Sequence, residues 1–414
     1  MAMTPALQPD LPRFERGQRL ELDITTVAFG GDGIGRVENF VVFVPFVLAG
    51  ERVEVEIVEV RKRFATADLV RVITPSPHRV TPSCPYYANC AGCQYQHADY
   101  AHQLEMKHAQ IRDVFQRIGK IKEPPIEPVV ASPKPYHYRN KIVVHGPGKP
   151  GFWSLRGRSI IEINRCDIAR EEINAKLTEP MAVNKHLTLR CDSAGQVRVF
   201  EESGTSFQLV PELAASGQAG SLSHIEETLL GKTLRVPLGS FFQINSGVIA
   251  AVLEHARQVF AASGCRVLVD AYCGIGLFAL YLADLAHHVY GMELNEQAIV
   301  AANDNAQRFG LKNYDFYPGS TDRLLFYTLR QCKLEETCLI LDPPRSGCGK
   351  QVLKTLRDQH PRKLIYVSCA PAMLARDLKQ LIASGYRLEK VTPFDMFPQT
   401  QHCEAVAELT YGGH

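Results

Sequence analysis

The 414-residue sequence has one tryptophan, almost no net charge and no long apolar run. No stretch of about 18 apolar residues is present, so no membrane-spanning helix is expected. The opening "MAMTPALQPDLPRFERG" has no apolar centre of the signal-peptide kind, so the cytoplasm is the expected location. A formal net charge of +2 does not by itself point to nucleic acid. Apolar residues make up 45% and charged residues 22%, as in an ordinary globular chain, and the length calls for two or three domains. What is abundant is cysteine, with twelve residues. In a reducing compartment such thiols point to metal or catalysis rather than disulfides.

Residues 16–73 read as short alternating strands, such as "ERVEVEIVEV", where Val53, Val55 and Ile57 share one face. "FGGDGIGRV" joins two of them, and with no helix following it the glycines suit a hairpin turn rather than a nucleotide loop. Strands this short and numerous predict a small barrel over residues 12–74. "TPSPHRVTPS" then reads as a linker. A central domain, 75–240, is predicted to be mostly strands, with a short helix near 170–185 and a turn-rich connection at "SGQAGSLSHIEE".

Charge is concentrated in this central domain. Between Pro75 and Arg170, 14 Lys or Arg face 7 Asp or Glu. In "KPYHYRNKIVVHGPGKPGFWSLRGR", Lys134 to Arg158, basic residues alternate with aromatics and include Trp153. Cations pair with phosphates and rings stack on unpaired bases, so RNA is the expected partner. The same domain holds Cys84, Cys90 and Cys93 in the spacing C-x5-C-x2-C. Zinc needs four Cys or His ligands and an iron–sulfur cluster four thiolates. His97 is near, but Cys166 in "IEINRCDIA" is the preferred fourth ligand. Next, Leu104, His108, Ile111, Phe115 and Ile118 form a helical face expected to dock the cysteine loop.

From Cys265 the pattern alternates strand and helix. "RVLVDAYCGIG", "HVYGMEL", "TCLILDPPRSG" and "KLIYVSC" are strands ending near a glycine turn, Glu293, Asp342 and Cys369. This predicts a parallel sheet with helices on both faces and a ligand across the strands' carboxyl ends. Gly274 and Gly276 allow a tight turn beside a ligand, and Glu293 is placed to hold ribose hydroxyls. The two prolines after Asp342 make a rigid turn. Cys369 faces a helix N-terminus, a position that can lower a thiol pKa. From this alone it is a nucleophile or a packed thiol.

The set "GSFFQIN", "VDAYCGIGLF", "GMEL", "LDPPRSG", "YVSC" and "FDMFPQTQHCE" resembles the RNA 5-methyluridine methyltransferase family over almost the whole chain. The resemblance implies an α/β fold with a C-terminal Rossmann-like class I methyltransferase domain (241–414), an N-terminal RNA-binding TRAM barrel, and a central domain with a [4Fe-4S] cluster on Cys84, Cys90, Cys93 and Cys166. It implies S-adenosylmethionine held by Gln243, Tyr272, Glu293 and Asp342, with Cys369 as nucleophile and Glu404 as general base. Leu277 stands where some members carry a polar residue. Cys273 reads as packing. His402, if in a strand, shares Glu404's face. The implied substrate is a flipped-out uridine, in 23S rRNA by preference, with tRNA as alternative, and the implied state is a monomer. A radical S-adenosylmethionine enzyme fits poorly, because its cysteines are typically C-x3-C-x2-C. A non-catalytic RNA-binding assembly factor would not need Cys369 and Glu404.

Overall fold

The computed structural model describes residues 14–157, 159–203, 206–209 and 224–412. Arg158 and residues 216–223 of the turn-rich connection lie outside them. The first strands are β1 (Arg19–Val27), β2 (Gly33–Val37), β3 (Phe40–Val44), β4 (Arg52–Val60) and β5 (Phe64–Thr74). They close into a barrel in the order β1-β2-β3-β5-β4. Alternation works as predicted: Leu22, Ile24, Val42, Val44, Val53, Val55 and Ile57 point inward and form one core. At Gly33 an added Cβ would lie 2.2 Å from the Val47 side chain, so only glycine fits at the start of β2.

Helix α1 (Tyr100–Arg117) follows the cysteine segment, capped by Asp99, whose carboxylate accepts from His102 N at 2.9 Å. Its buried face is the expected one only at Ile111 and Phe115. Gln103, Met106, Lys107, Gln110, Ile111, Val114 and Phe115 are buried, while Ile118 is exposed. Three of these are polar, and each has a partner distant in sequence, so apolar periodicity misplaced the face by part of a turn. Nor does α1 dock the cysteine loop alone. It also receives the barrel, through Gln110 Nε2 and the carbonyls of Val27 and Ala28, and the C-terminal loop at Asp395 and Gln399.

The central domain contains β6 (Lys141–His145), β7 (Gly151–Trp153), β8 (Ile160–Glu162), α2 (Glu171–Leu177), β9 (His186–Cys191), β10 (Val197–Ser203) and β11 (Ser206–Leu209). Its strands form one six-stranded sheet in the order β11-β10-β9-β6-β7-β8. A hairpin, β12 (His224–Leu229) with β13 (Lys232–Pro237), leads into the last domain.

There, α3 (Ser246–Ala262), β14 (Val267–Asp270), α4 (Leu277–Leu282), β15 (His288–Glu293), α5 (Glu296–Arg308), β16 (Tyr314–Pro318), α6 (Thr321–Arg330), β17 (Thr337–Leu341), α7 (Lys350–Asp358), β18 (Lys363–Ser368), α8 (Pro371–Ala383), β19 (Tyr386–Phe394) and β20 (Glu404–Tyr411) alternate. The sheet order is β16-β15-β14-β17-β18-β20-β19. The strands from β16 to β18 are parallel, as expected, with apolar residues buried on both faces of the sheet. The last two are not. β20 runs antiparallel between β18 and β19, so Ser368 pairs with Ala405. A parallel β20 would have put its C-terminal end beside Cys369. The reversed strand puts its first residue, Glu404, there instead.

Candidate active site

The carboxyl ends of β14, β15 and β17 meet where the strand order reverses, the position at which doubly wound sheets bind ligands. Two glycines shape the first turn. Gly274 has φ +54° and Gly276 φ +84°. A Cβ at Gly276 would come 3.2 Å from the Leu280 side chain and 3.3 Å from Ala302, so this turn disfavours other residues by conformation first and by crowding second. The backbone N–H of Gly274 donates to Glu293 Oε2 at 3.2 Å, and Asn295 N donates to Glu293 Oε1 at 2.8 Å. One amide from each of two turns therefore orients the carboxylate, and each oxygen keeps a lone pair for a ligand. Gln243 is buried in the segment between β13 and α3, and its carbonyl accepts from Asn140 Nδ2 at 3.1 Å. The Tyr272 hydroxyl interacts with Cys348 of the Asp342 loop, and burial raises its pKa. Leu277 opens α4.

Cys273 is buried under β15, and a Cβ on Gly291 would lie 3.1 Å from its sulfur. Burial raises its pKa steeply, with help from Asp270 and Glu293. It is a packed thiol, as the sequence indicates. Asp270 had no role assigned from sequence, yet it ends β14 fully buried. One oxygen accepts from Ala279 N at 3.1 Å and the other has no partner. Burial lifts its pKa to about 7, with Asp342 and Glu293 adding to the shift.

Cys369 sits half-buried between the end of β18 and Pro371, the first residue of α8. Burial raises the thiol pKa and Glu404 adds to it, while Arg345 opposes both as a nearby cation and hydrogen-bond partner. No role for Arg345 follows from the sequence alone. Its only signal is its place three residues after Asp342. The loop that carries it is anchored from α8: Cys348 N donates to Asp377 Oδ2 at 2.9 Å, and Arg376 donates to the carbonyl of Ser346 at 3.1 Å.

Glu404 is 4% exposed. Burial first, then the Asp342 carboxyl, push its pKa well above the usual range, against Arg345. Asp342 is itself raised to about 7 by burial. Two such carboxyls do not both ionise near neutrality, so one of them holds a proton. His402 lies in the loop ahead of β20, not in the strand, so alternation does not put it on Glu404's face. Burial and the cations Arg345, Lys107 and Arg139 lower its pKa to about 4, leaving a neutral ring at pH 7. The loop's other end is held by a buried ion pair, Lys107 Nζ to Asp395 Oδ1 at 2.5 Å.

In the central domain, Cys84, Cys90, Cys93 and Cys166 line one cavity of about 310 Å³, together with Tyr86, Tyr87, Arg139, Arg165 and Trp153. His97 does not line it. Its Nδ1 is bound to the Tyr87 hydroxyl at 2.5 Å. Burial raises all four thiols, and Cys93 is raised further by the other three. Among the described residues no group of three or more His, Cys, Asp or Glu side chains is gathered as one metal ion requires.

Comparison with known proteins adds three findings. The family model for tRNA (uracil-5-)-methyltransferase matches residues 231–410, and that for the TRAM domain matches 13–70. An RNA methyltransferase of Clostridium tetani is 32% identical over 98% of this chain and 99% of its own, and one of Synechocystis is 33% identical over 96% and 97%. A solved structure, the Pyrococcus abyssi tRNA (uracil-54, C5)-methyltransferase in complex with S-adenosyl-L-homocysteine, has a TM-score of 0.71 at 24% identity. It covers 94% of this chain and 100% of its own, and shares the fold.

Proposed function

The chain belongs to the S-adenosylmethionine-dependent RNA (uracil-5-)-methyltransferase family, and on that premise we propose that it methylates C5 of a flipped-out uridine through a covalent bond from Cys369 to C6. The observation that carries this reading is the meeting of Cys369, Glu404 and Arg345 at the carboxyl end of β18. Uracil C5 is a weak nucleophile. Addition of a thiolate at C6 moves an electron pair to the enolate and C5, a covalent step that divides one high barrier into two lower ones. S-adenosylmethionine, held by Gln243, Tyr272, Glu293 and Asp342, supplies the methyl group. Arg345 stabilises the Cys369 thiolate against the burial that raises its pKa. Glu404, whose ionised form the Arg345 cation favours, then removes the C5 proton, and the thiolate leaves.

The four thiols fit a [4Fe-4S] cluster better than a zinc ion. One ion draws its ligands to within about 2.3 Å of a single point. A cavity of about 310 Å³ among half-buried thiols suits a larger cationic group that takes four thiolates. Its role is structural, since methyl transfer moves no electrons through the protein. RNA lies along the basic, aromatic face nearby, where Trp153 is 46% exposed beside His145. A base cannot react while stacked, so the target uridine is extruded.

The chain acts as a cytoplasmic monomer. Ribosomal RNA, of the 23S type, is the preferred substrate, because family members with both a cluster and a TRAM domain resemble ribosomal enzymes. The tRNA reading rests on the family model's description and on the Pyrococcus neighbour. Mapping 5-methyluridine in RNA from a strain lacking the gene decides between them by which RNA loses the modification. The mechanism is tested with RNA carrying 5-fluorouridine at that position. Fluorine cannot leave as a cation, so a denaturation-resistant adduct requiring S-adenosylmethionine is expected. Cys369→Ala should form no adduct and show no turnover; methylation by that variant would refute the covalent route.

A further inference from the structure

Glu404 is the first residue of β20, so the sheet holds the chain after it and only the preceding loop holds the chain before it. That loop is tied down at several points, by Lys107 to Asp395 and Phe397 and by Tyr138 to Pro398, and most densely at Gln399. Gln399 is buried with φ +69°, a left-handed conformation that costs a non-glycine residue on the order of 1 kcal/mol and persists only where its surroundings impose it. Here they do. The Gln399 carbonyl accepts from Gln94 N at 3.0 Å and from Tyr95 N at 2.9 Å. Gln103 Nε2 donates to Gln399 Oε1 at 2.9 Å, and Gln399 N donates back to Gln103 Oε1 at 3.1 Å. Gln399 Nε2 donates to the carbonyl of Pro135 at 3.3 Å. A parallel strut runs from Gln401 N to Gln94 Oε1 at 3.2 Å. Gln94 directly follows Cys93, and Gln103 is in the first turns of α1.

We propose that Gln399 is a positioning residue, through which the segment after Cys93 and helix α1 aim Glu404 at the C5 proton. The inference rests on Glu404 being the base. In the step concerned, Glu404 takes the proton from C5, the C5–H electron pair becomes the C5=C6 double bond, and the C6–S pair leaves with the Cys369 sulfur. Addition and methyl transfer come earlier and do not use Glu404. A loop that no longer aims the carboxylate therefore slows release of product and leaves the earlier steps intact. A purely structural role would lower every step together.

The test uses full-length chains on ordinary uridine RNA in single turnover. Gln399→Asn keeps a residue that tolerates the left-handed backbone, with an amide too short to reach Gln103. Gln94→Ala removes the half-exposed strut and a local bond to the Ala91 carbonyl, leaves the Gln94 backbone bond to Gln399, and is expected to fold. Both should bind S-adenosylmethionine and transfer the methyl group at the native rate. Both should eliminate more slowly, by roughly 10–100-fold for Gln399→Asn, the scale of a misplacement near 1 Å, so that the methylated adduct accumulates. Glu404→Gln, run beside them, should trap the same adduct. If it traps and the two variants release product at the native rate, or lose transfer and elimination by one factor, the positioning role is overturned. If Glu404→Gln does not trap, the base assignment fails first and the positioning role falls with it.

Discussion

Asp270 shows how much a single side chain can be governed by its surroundings. Burial holds its carboxyl at about 7 against an ordinary 3.8. Between those values the folded chain keeps a proton that the unfolded chain has released, so this group's contribution to stability falls as pH rises through the window. Asp270→Asn removes the ionisation and keeps an oxygen for Ala279 N. The variant should melt above the native chain at pH 8, with the gap closing as pH falls to 5. Equal melting differences at both values would mean that Asp270 is ionised in the fold. Residue identity alone did not reveal this, because an aspartate at a strand end is usually solvated. Cys369 and Glu404 were legible only as members of a motif set. By itself a strand-end thiol is as often packed, as Cys273 is here.

At the level of the element, strand ends and turns carry the site. The alternation of strands and helices placed Glu293, Asp342 and Cys369 at strand ends from sequence, and the structure agrees within a residue. Glu293 is aimed by the Gly274 and Asn295 amides, one from each of two neighbouring turns. Glu293→Ala should weaken S-adenosylmethionine binding by about 1.5–3 kcal/mol for each ribose hydrogen bond lost. Calorimetry should show this with RNA affinity unchanged, and equal losses in both would take Glu293 away from the ribose. Strand direction was less legible. β20 carries the same apolar pattern whichever way it runs, and its insertion beside β18 is decided by hydrogen bonds between segments far apart in the chain.

On the scale of the whole molecule, barrel, cysteine segment, helix α1 and methyltransferase domain meet around Tyr95. A Cβ on Gly31 of the barrel would lie 3.2 Å from the Gln94 side chain, Tyr95 bonds Gln110 at 3.0 Å, and Gln399 closes the junction from the C-terminal side. The four-cysteine cavity is next to it in sequence and spans the central domain from Cys84 to Cys166. Ligation of the cluster proposed for this cavity would be coupled to folding. Chain prepared without oxygen should absorb broadly in the visible and carry about four irons, the content of one such cluster. Cys166→Ser should lose the absorption and lower the melting temperature. Zinc at one ion per chain, or native iron content in the variant, would refute the assignment.

The sequence by itself determined the elements whose cause is local: barrel strands from alternation, helices from caps and periodicity, the glycine turn from backbone freedom, and the grouping of Cys84, Cys90 and Cys93 from spacing. Tertiary structure alone decided which way β20 runs and that α1 buries Gln103, Lys107 and Gln110, whereas Cys166 shares the cavity of the three thiols as the sequence led one to expect. The physical reason is the same in each case. A buried polar or charged group is stable only with a partner, and these partners lie up to 296 residues away, as Gln103 and Gln399 do. No local pattern records such a pairing, because it exists only once the domains have packed together.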